Sequence, residues 1–179
     1  MTAYQADFEK VVVAIGPDGA RTESRELFRL YRDSSGRTRM EGSMPIGGEP
    51  MRLAFIADRR GTRRAILDLA TGSRLDFPPR SRPPGAPAPS PKPPRATPQP
   101  ESPAVEDLGE AEIEGFKARG SRTTSATFGV SEVWHALLID QPPILVKSKG
   151  PTEERTERLF NIRVGEPDPA LFAPLEQEP

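Results

Sequence analysis

His135 is the only histidine in the 179-residue chain, and there is no cysteine. A serine or cysteine nucleophile working through an imidazole would have to use His135. That residue stands beside Trp134 with no nucleophile motif such as G-x-S-x-G around it, so it reads as a strand residue that hydrogen-bonds or faces water. The missing cysteines remove thiolate catalysis, Cys-ligated zinc and iron–sulfur chemistry together. A lone histidine removes His-rich metal sites as well, and no metal or cofactor is expected. Carboxylates are plentiful, but no spacing singles out a pair for glycosidic or phosphoester chemistry. Glu110, Glu112 and Glu114 alternate along one segment and read as a solvated strand face. Gly47-Gly48 lacks the Lys-Ser/Thr that a phosphate-cradling loop needs. Arg59, Arg60, Arg63 and Arg64 form the densest basic cluster. It could engage an anionic lipid or a phosphate, and is read in preference as a charged turn paired to Asp58 and Asp68. No catalytic residue is assigned, and the chain is expected to be a non-enzyme.

The elements that would carry these residues are almost all strands. Val11, Val12, Val13 and Ile15 form a β-branched run ending at Gly16-Pro17-Asp18-Gly19. Arg21 to Arg32 alternates, with Leu27 and Tyr31 on one side and Phe28 and Leu30 on the other. Arg37 to Glu41 is a polar strand suited to an edge or a wet surface. A loop with Pro45, Gly47, Gly48 and Pro50 leads into Met51 to Ala57, where Leu53 and Phe55 share a face. Arg59-Arg60-Gly61-Thr62 is a hairpin tip, followed by Arg63 to Leu69 and Leu75-Asp76-Phe77. Strands resume at Leu108 and run through Phe116 to Thr124, Val130 to Ile139, Ile144 to Lys149 and Glu154 to Val164. Asp168 caps a short helical turn with Pro169 at its first position, which would drive Leu171 and Phe172 back onto the sheet. Turn signals recurring roughly every ten residues mark an all-β chain.

Between residues 78 and 103 lie twelve of the 22 prolines. Proline fixes φ and removes a donor, so this stretch can join neither a ladder nor a helix. It is expected to be flexible or polyproline-II-like, a low-complexity surface loop in preference to an arm for a partner. The organisation read from these shifts is a first half of a sheet domain (1–77), a Pro-rich flexible insertion (78–104) and a second half of the same domain with a C-terminal tail (105–179).

Net charge is −1, which argues against a nucleic-acid binder, whose footprint is a strong basic excess. No apolar run approaches the ~20 residues of a membrane span. Met1 to Asp7 has neither a basic nor an apolar leader region, so the chain is either cytoplasmic or numbered after a signal was removed. Several strands carry apolar residues on both faces: Val11–Ile15, Leu27–Tyr31, Leu53–Ile56, Val133–Leu138 and Leu159–Ile162. Such a sheet must be covered twice or must line a cavity. A curved sheet around an apolar groove and a plain β-sandwich both satisfy the pattern.

Certain motifs carry a resemblance. They are Pro17-Asp18-Gly19, Leu30-Tyr31-Arg32-Asp33 leading to Gly36 through Glu41, Ile66-Leu67-Asp68 and Leu108-Gly109. In the second half they are Ile113-Glu114-Gly115-Phe116-Lys117 through Thr124, Glu132-Val133-Trp134, and Leu159-Phe160-Asn161-Ile162 with Glu166-Pro167-Asp168-Pro169-Ala170-Leu171-Phe172. Together they resemble an uncharacterised family of secreted proteins common in soil acidobacteria. That family is distantly similar to the LolA-like fold of periplasmic lipoprotein carriers and envelope-stress sensors. The resemblance implies an antiparallel sheet curved into an incomplete barrel, export to the periplasm or beyond, and a non-enzymatic module that binds a lipid, acyl chain or lipoprotein. It also implies an envelope-protein partner, and a protein-interaction module using the Pro-rich segment is the alternative. No residue maps onto a carrier's functional position; Leu53, Phe55, Trp134 and Phe160 are the residues expected to line the groove.

Overall fold

The computed structural model describes residues 1–77, 103–127, 129–139 and 142–175. The Pro-rich stretch 78–102 lies outside the described residues, so its expected flexibility has no counterpart here. The first half supplies β1 (Tyr4–Ile15), β2 (Arg21–Arg32), β3 (Thr38–Ile46), β4 (Glu49–Ala57), β5 (Arg64–Asp68) and β6 (Arg74–Phe77). The second supplies β7 (Ala104–Ile113), β8 (Phe116–Ser125), β9 (Gly129–Ala136), β10 (Leu145–Lys149) and β11 (Glu153–Val164), followed by a 3₁₀ helix at Pro169–Leu175.

All eleven strands form one sheet in the order β6-β5-β4-β3-β2-β1-β11-β10-β9-β8-β7. Two antiparallel meanders are joined where β1 pairs with β11, from Tyr4↔Val164 to Ala14↔Glu153. The sheet is curved and does not close into a barrel, leaving β6 and β7 as its two edges among the described residues.

Local chemistry sets the hairpins. Gly47 and Gly48 both take positive φ (62° and 92°), the geometry of a two-residue type I′ turn whose twist matches the flanking strands. Instead of a loop, the Pro45–Pro50 region is therefore continuous hairpin, with Pro45 opposite Pro50. The Arg37–Glu41 segment is also placed differently from its sequence reading. It lies inside the sheet between β2 and β4, and Arg39 is buried because its guanidinium donates from Nε to Glu41 Oε1 (2.6 Å) and from Nη1 to Leu171 O (2.9 Å).

A bulge in β11 governs which residues face which way. Register shifts between Gln5 and Asp7, where Asn161 adopts φ 52°. Asparagine tolerates this left-handed conformation better than most residues. The extra residue re-phases the strand, so that Leu159 and Ile162 both pack with Tyr4 and Ala6 although they are three apart.

Two buried clusters hold the sheet. One gathers Tyr4, Ala6, Ala118, Ala136, Ile139, Ile144 and Leu159 around the junction of the meanders. The other gathers Tyr31, Ala54 and Ile56 from β2 and β4 under Phe172 and Leu175 of the 3₁₀ helix. Asp168 Oδ1 accepts from Ala170 N (2.9 Å) at the start of that helix, and Phe172 is completely buried. One face of the first meander is thus covered by the chain's own C-terminal segment. Its other face stays partly open.

Candidate functional site

Residues directly opposite one another in an antiparallel sheet project to the same side. On the face away from the 3₁₀ helix, the registers align Ala6, Leu30, Met40, Phe55, Ile66 and Leu75 in one row across β1 to β6. Every member is apolar. The next row reads Tyr4, Arg32, Thr38, Ala57, Arg64 and Phe77.

Members of these two rows line a groove of about 510 Å³, among them Leu30, Met40, Phe55, Ile66, Arg64 and Phe77, with Tyr4 at its centre-sheet end; Ala6, Arg32 and Leu75 lie outside the lining. Pro142, from the β9–β10 connection, joins the same lining, so a loop of the second meander reaches over the first. Volume and apolar character fall in the range of ligand-binding clefts. Burial pushes the Tyr4 phenol up to about 12 against the lowering influence of nearby Arg32, so its hydroxyl stays neutral.

The opposite face of the central strands is ionic. Glu9 is buried between Arg158 (2.8 Å) and Arg25 (3.3 Å), tying β1 to both neighbours. Asp7 accepts from Arg29 Nε (3.3 Å) and Asn161 Nδ2 (2.9 Å). The Arg158 guanidinium also lies 4.9 Å from the Phe160 ring centroid. Charge on this side and apolar side chains on the other give the sheet a wet surface and a ligand-sized one.

The four residues expected from the sequence to line a groove are divided by the register. Phe55 lines it. Leu53 shares that face one row further along, opposite Gly42, and is 2% exposed. Trp134 pairs with Leu145 and Gly120 and packs against the cluster of Tyr4, Ala6 and Leu159, outside the groove lining. Phe160 pairs with Asp7 and stands beside Arg158, on the face of Glu9. The groove residues that sequence reasoning passed over, Leu30, Met40, Ile66 and Phe77, each belong to alternating strands; the signal was present but gave no way to align one strand against another.

The arginine cluster disperses. Arg59 and Arg60 are exposed at the turn, and Arg63 Nη1 donates to Leu175 O (3.3 Å). Arg64 faces the groove with its guanidinium 5.5 Å from the Phe77 ring centroid. The expected pairing to Asp58 and Asp68 does not occur, because both carboxylates are taken by their own turns. Thr62 N donates to Asp58 Oδ1 (2.7 Å), and Ala70 N to Asp68 Oδ1 (2.8 Å). His135 is exposed on β9. Among the described residues no group of three or more His, Cys, Asp or Glu is placed to hold a metal, and no helix is long and apolar enough to cross a membrane.

No protein-family model matches the chain, and no curated protein matches it. Solved structures do. The MucA/MucB complex of Pseudomonas aeruginosa aligns with TM-score 0.54 at 13% identity, covering 96% of this chain and 55% of that one. The chain therefore spans about half the length of that relative. An uncharacterised conserved protein from Thermus thermophilus aligns at TM-score 0.49 and 12% identity, over 97% of this chain and 85% of the other. A LolA superfamily protein from Nitrosomonas europaea aligns at TM-score 0.42 and 9% identity, over 95% and 89%. The fold is LolA-like.

Proposed function

We propose that this chain is a non-enzymatic binding module of the cell envelope, periplasmic or secreted, whose apolar groove holds the acyl portion of a lipid or lipoprotein. The observation that carries this reading is the uninterrupted apolar row across β2 to β6, Leu30, Met40, Phe55, Ile66 and Leu75, in which every residue keeps some exposure. Their counterparts on the helix side, Tyr31, Arg39, Ile56 and Ala65, are all buried. A sheet apolar on both faces calls for a second packing layer, and a ligand in the groove would supply it. Phe55 is the contact carried forward from the sequence, with Leu30, Met40 and Ile66 beside it and Leu53 packed one row beyond. A fold alone does not define an activity, so the row and its groove are the argument.

The test is uptake of the neutral fluorophore N-phenyl-1-naphthylamine by the full chain, together with native mass spectrometry of protein purified from bacteria. Enhanced fluorescence and a co-purified lipid mass are expected. Phe55→Asp, which sets a charge in the middle of the row, should abolish uptake, while Phe160→Ala on the ionic face should preserve it. A wild-type chain that neither carries lipid nor takes up the fluorophore overturns the reading.

One observation favours a second reading, a protein-interaction module. Edge strand β7 runs ten residues with one side lacking a strand neighbour among the described residues, and Val105 on it is highly exposed. An extended partner segment could add to such an edge. MucB, whose fold this chain shares, was crystallised with the MucA(peri) chain. A partner captured equally well by the wild type and by Phe55→Asp would favour this reading over the lipid one.

A further inference from the structure

The groove is apolar along one row and basic beside it. The second row contains Arg32 and Arg64, with Thr38 and Ala57 between them and no carboxylate in it. No aspartate or glutamate among the described residues lines the groove either. Two arginines do, and their situations differ. Arg39 belongs to the row on the helix side, where it is neutralised by Glu41 at 2.6 Å. Arg64 has no ion pair among the described residues, and its Nε is buried with no hydrogen-bond partner among them. Its close companion is the Phe77 ring face.

A buried guanidinium donor without an acceptor is costly, by an amount comparable to a lost charge-assisted hydrogen bond. Arginine does not escape by losing its proton, since it stays charged throughout the accessible pH range. Arg64 lines an otherwise apolar cleft with no carboxylate in its lining, and an anionic head group arriving with the ligand would supply its counter-charge. We infer that the groove recognises an anionic amphiphile, whose hydrocarbon chain lies along Leu30, Met40, Phe55 and Ile66 and whose carboxylate or phosphate monoester head is bound by Arg64. Phe77 holds the guanidinium through a cation–π contact, 5.5 Å from Cζ to the ring centroid. This rests on the acyl-binding reading above and specifies its ligand class.

The test measures displacement of N-phenyl-1-naphthylamine from the full chain at about pH 8, where both head groups are ionised, by three straight-chain competitors of equal length: decanol, decanoate and decyl phosphate. At least one anion is expected to compete roughly tenfold or more better than decanol, in line with a charge-assisted hydrogen bond. A lead for decanoate identifies a fatty-acid head, and a lead for decyl phosphate a phosphate head; either supports the inference. Arg64→Met keeps most of the length of the side chain and its contact with Phe77, and should erase the anion preference, read as the ratio of each anion's competition to that of decanol on the same variant. Arg64→Lys keeps the charge without the planar donor edge, and should retain part of the preference. It also serves as the second variant, with far-ultraviolet circular dichroism verifying that each is folded. Equal competition by all three compounds, or an anion preference that survives in Arg64→Met, overturns the Arg64 assignment while the groove reading stands. Failure of the wild type to take up the fluorophore at all removes both.

Discussion

The Trp134 indole packs across Gly120 on the adjacent strand: a Cβ built at Gly120 would meet the indole Cε3 at 2.6 Å and two further ring atoms at 2.7 Å. The glycine is thus a seat for the ring, and the tryptophan covers backbone that a glycine would otherwise leave exposed. Phe28 and Gly42 repeat the arrangement in the first meander, where a Cβ at Gly42 would fall inside the Phe28 ring's contact distance.

Gly120→Ala should therefore be destabilising despite the better strand propensity of alanine. Displacing the indole is an overpacking change, expected to cost about 1–3 kcal/mol. Urea unfolding followed by the fluorescence of the single tryptophan reports both quantities at once, with a lower midpoint and an altered native emission. An unchanged midpoint would mean the indole does not sit there.

Phe172→Ala should be among the most damaging substitutions in the chain. Phe172 is wholly buried against Tyr31, Ala54 and Ile56, and the Arg37 guanidinium lies 4.9 Å from its ring centroid. Truncating such a ring costs about 3–5 kcal/mol. Thermal denaturation should reveal a large drop in Tm, and Phe172→Leu a smaller one.

Asp33 gives the stability an acid-side dependence. Burial pushes its carboxyl up, but donation from Arg37 Nε (2.5 Å) and Ser35 Oγ (2.7 Å) outweighs this and holds it below its ordinary value. A depressed folded pKa means stabilisation that is fully present above the ordinary carboxylate value and lost as pH falls through the folded value. Wild type should exceed Asp33→Asn in urea stability at about pH 6, and the two should converge as the pH approaches about 2. Parallel curves over that range would contradict the assignment.

At alkaline pH the dependence runs the other way through Tyr4. Its folded pKa is raised to about 12 by burial, against an ordinary 10.0, so the neutral form is favoured in the native state. That stabilisation is complete below the ordinary value and should decline by about 1.4 kcal/mol per pH unit between the ordinary and the folded values. Ultraviolet absorbance of the phenolate should show a late-titrating tyrosine that disappears in Tyr4→Phe.

Much of the architecture is legible in local sequence. The β-branched runs, the turn clusters at Gly16–Gly19 and Asp33–Gly36, and the cap at Asp168 depend on backbone sterics and on hydrogen bonds spanning a few residues, so the sequence near each site specifies them. The alternation in Arg21–Arg32, with Leu27 and Tyr31 opposed to Phe28 and Leu30, carries directly into β2. The groove was legible only as an excess of apolar residues on both sides of several strands.

What tertiary structure alone decided is register and cover. Whether Phe55 and Trp134 share a face depends on how β4 and β9 are linked through the five strands between them and the bulge at Asn161, and no local pattern encodes that sum. The position of Arg64 illustrates the same limit: in sequence it is one of four arginines at a hairpin tip, while in the sheet it stands in the row beside the apolar one. Its neighbours there, Ala57 and Phe77, come from separate strands. The C-terminal 3₁₀ helix makes the final selection. By burying Phe172 and Leu175 against one side of the sheet it satisfies that face, and the apolar row left open on the other becomes the surface available to a ligand.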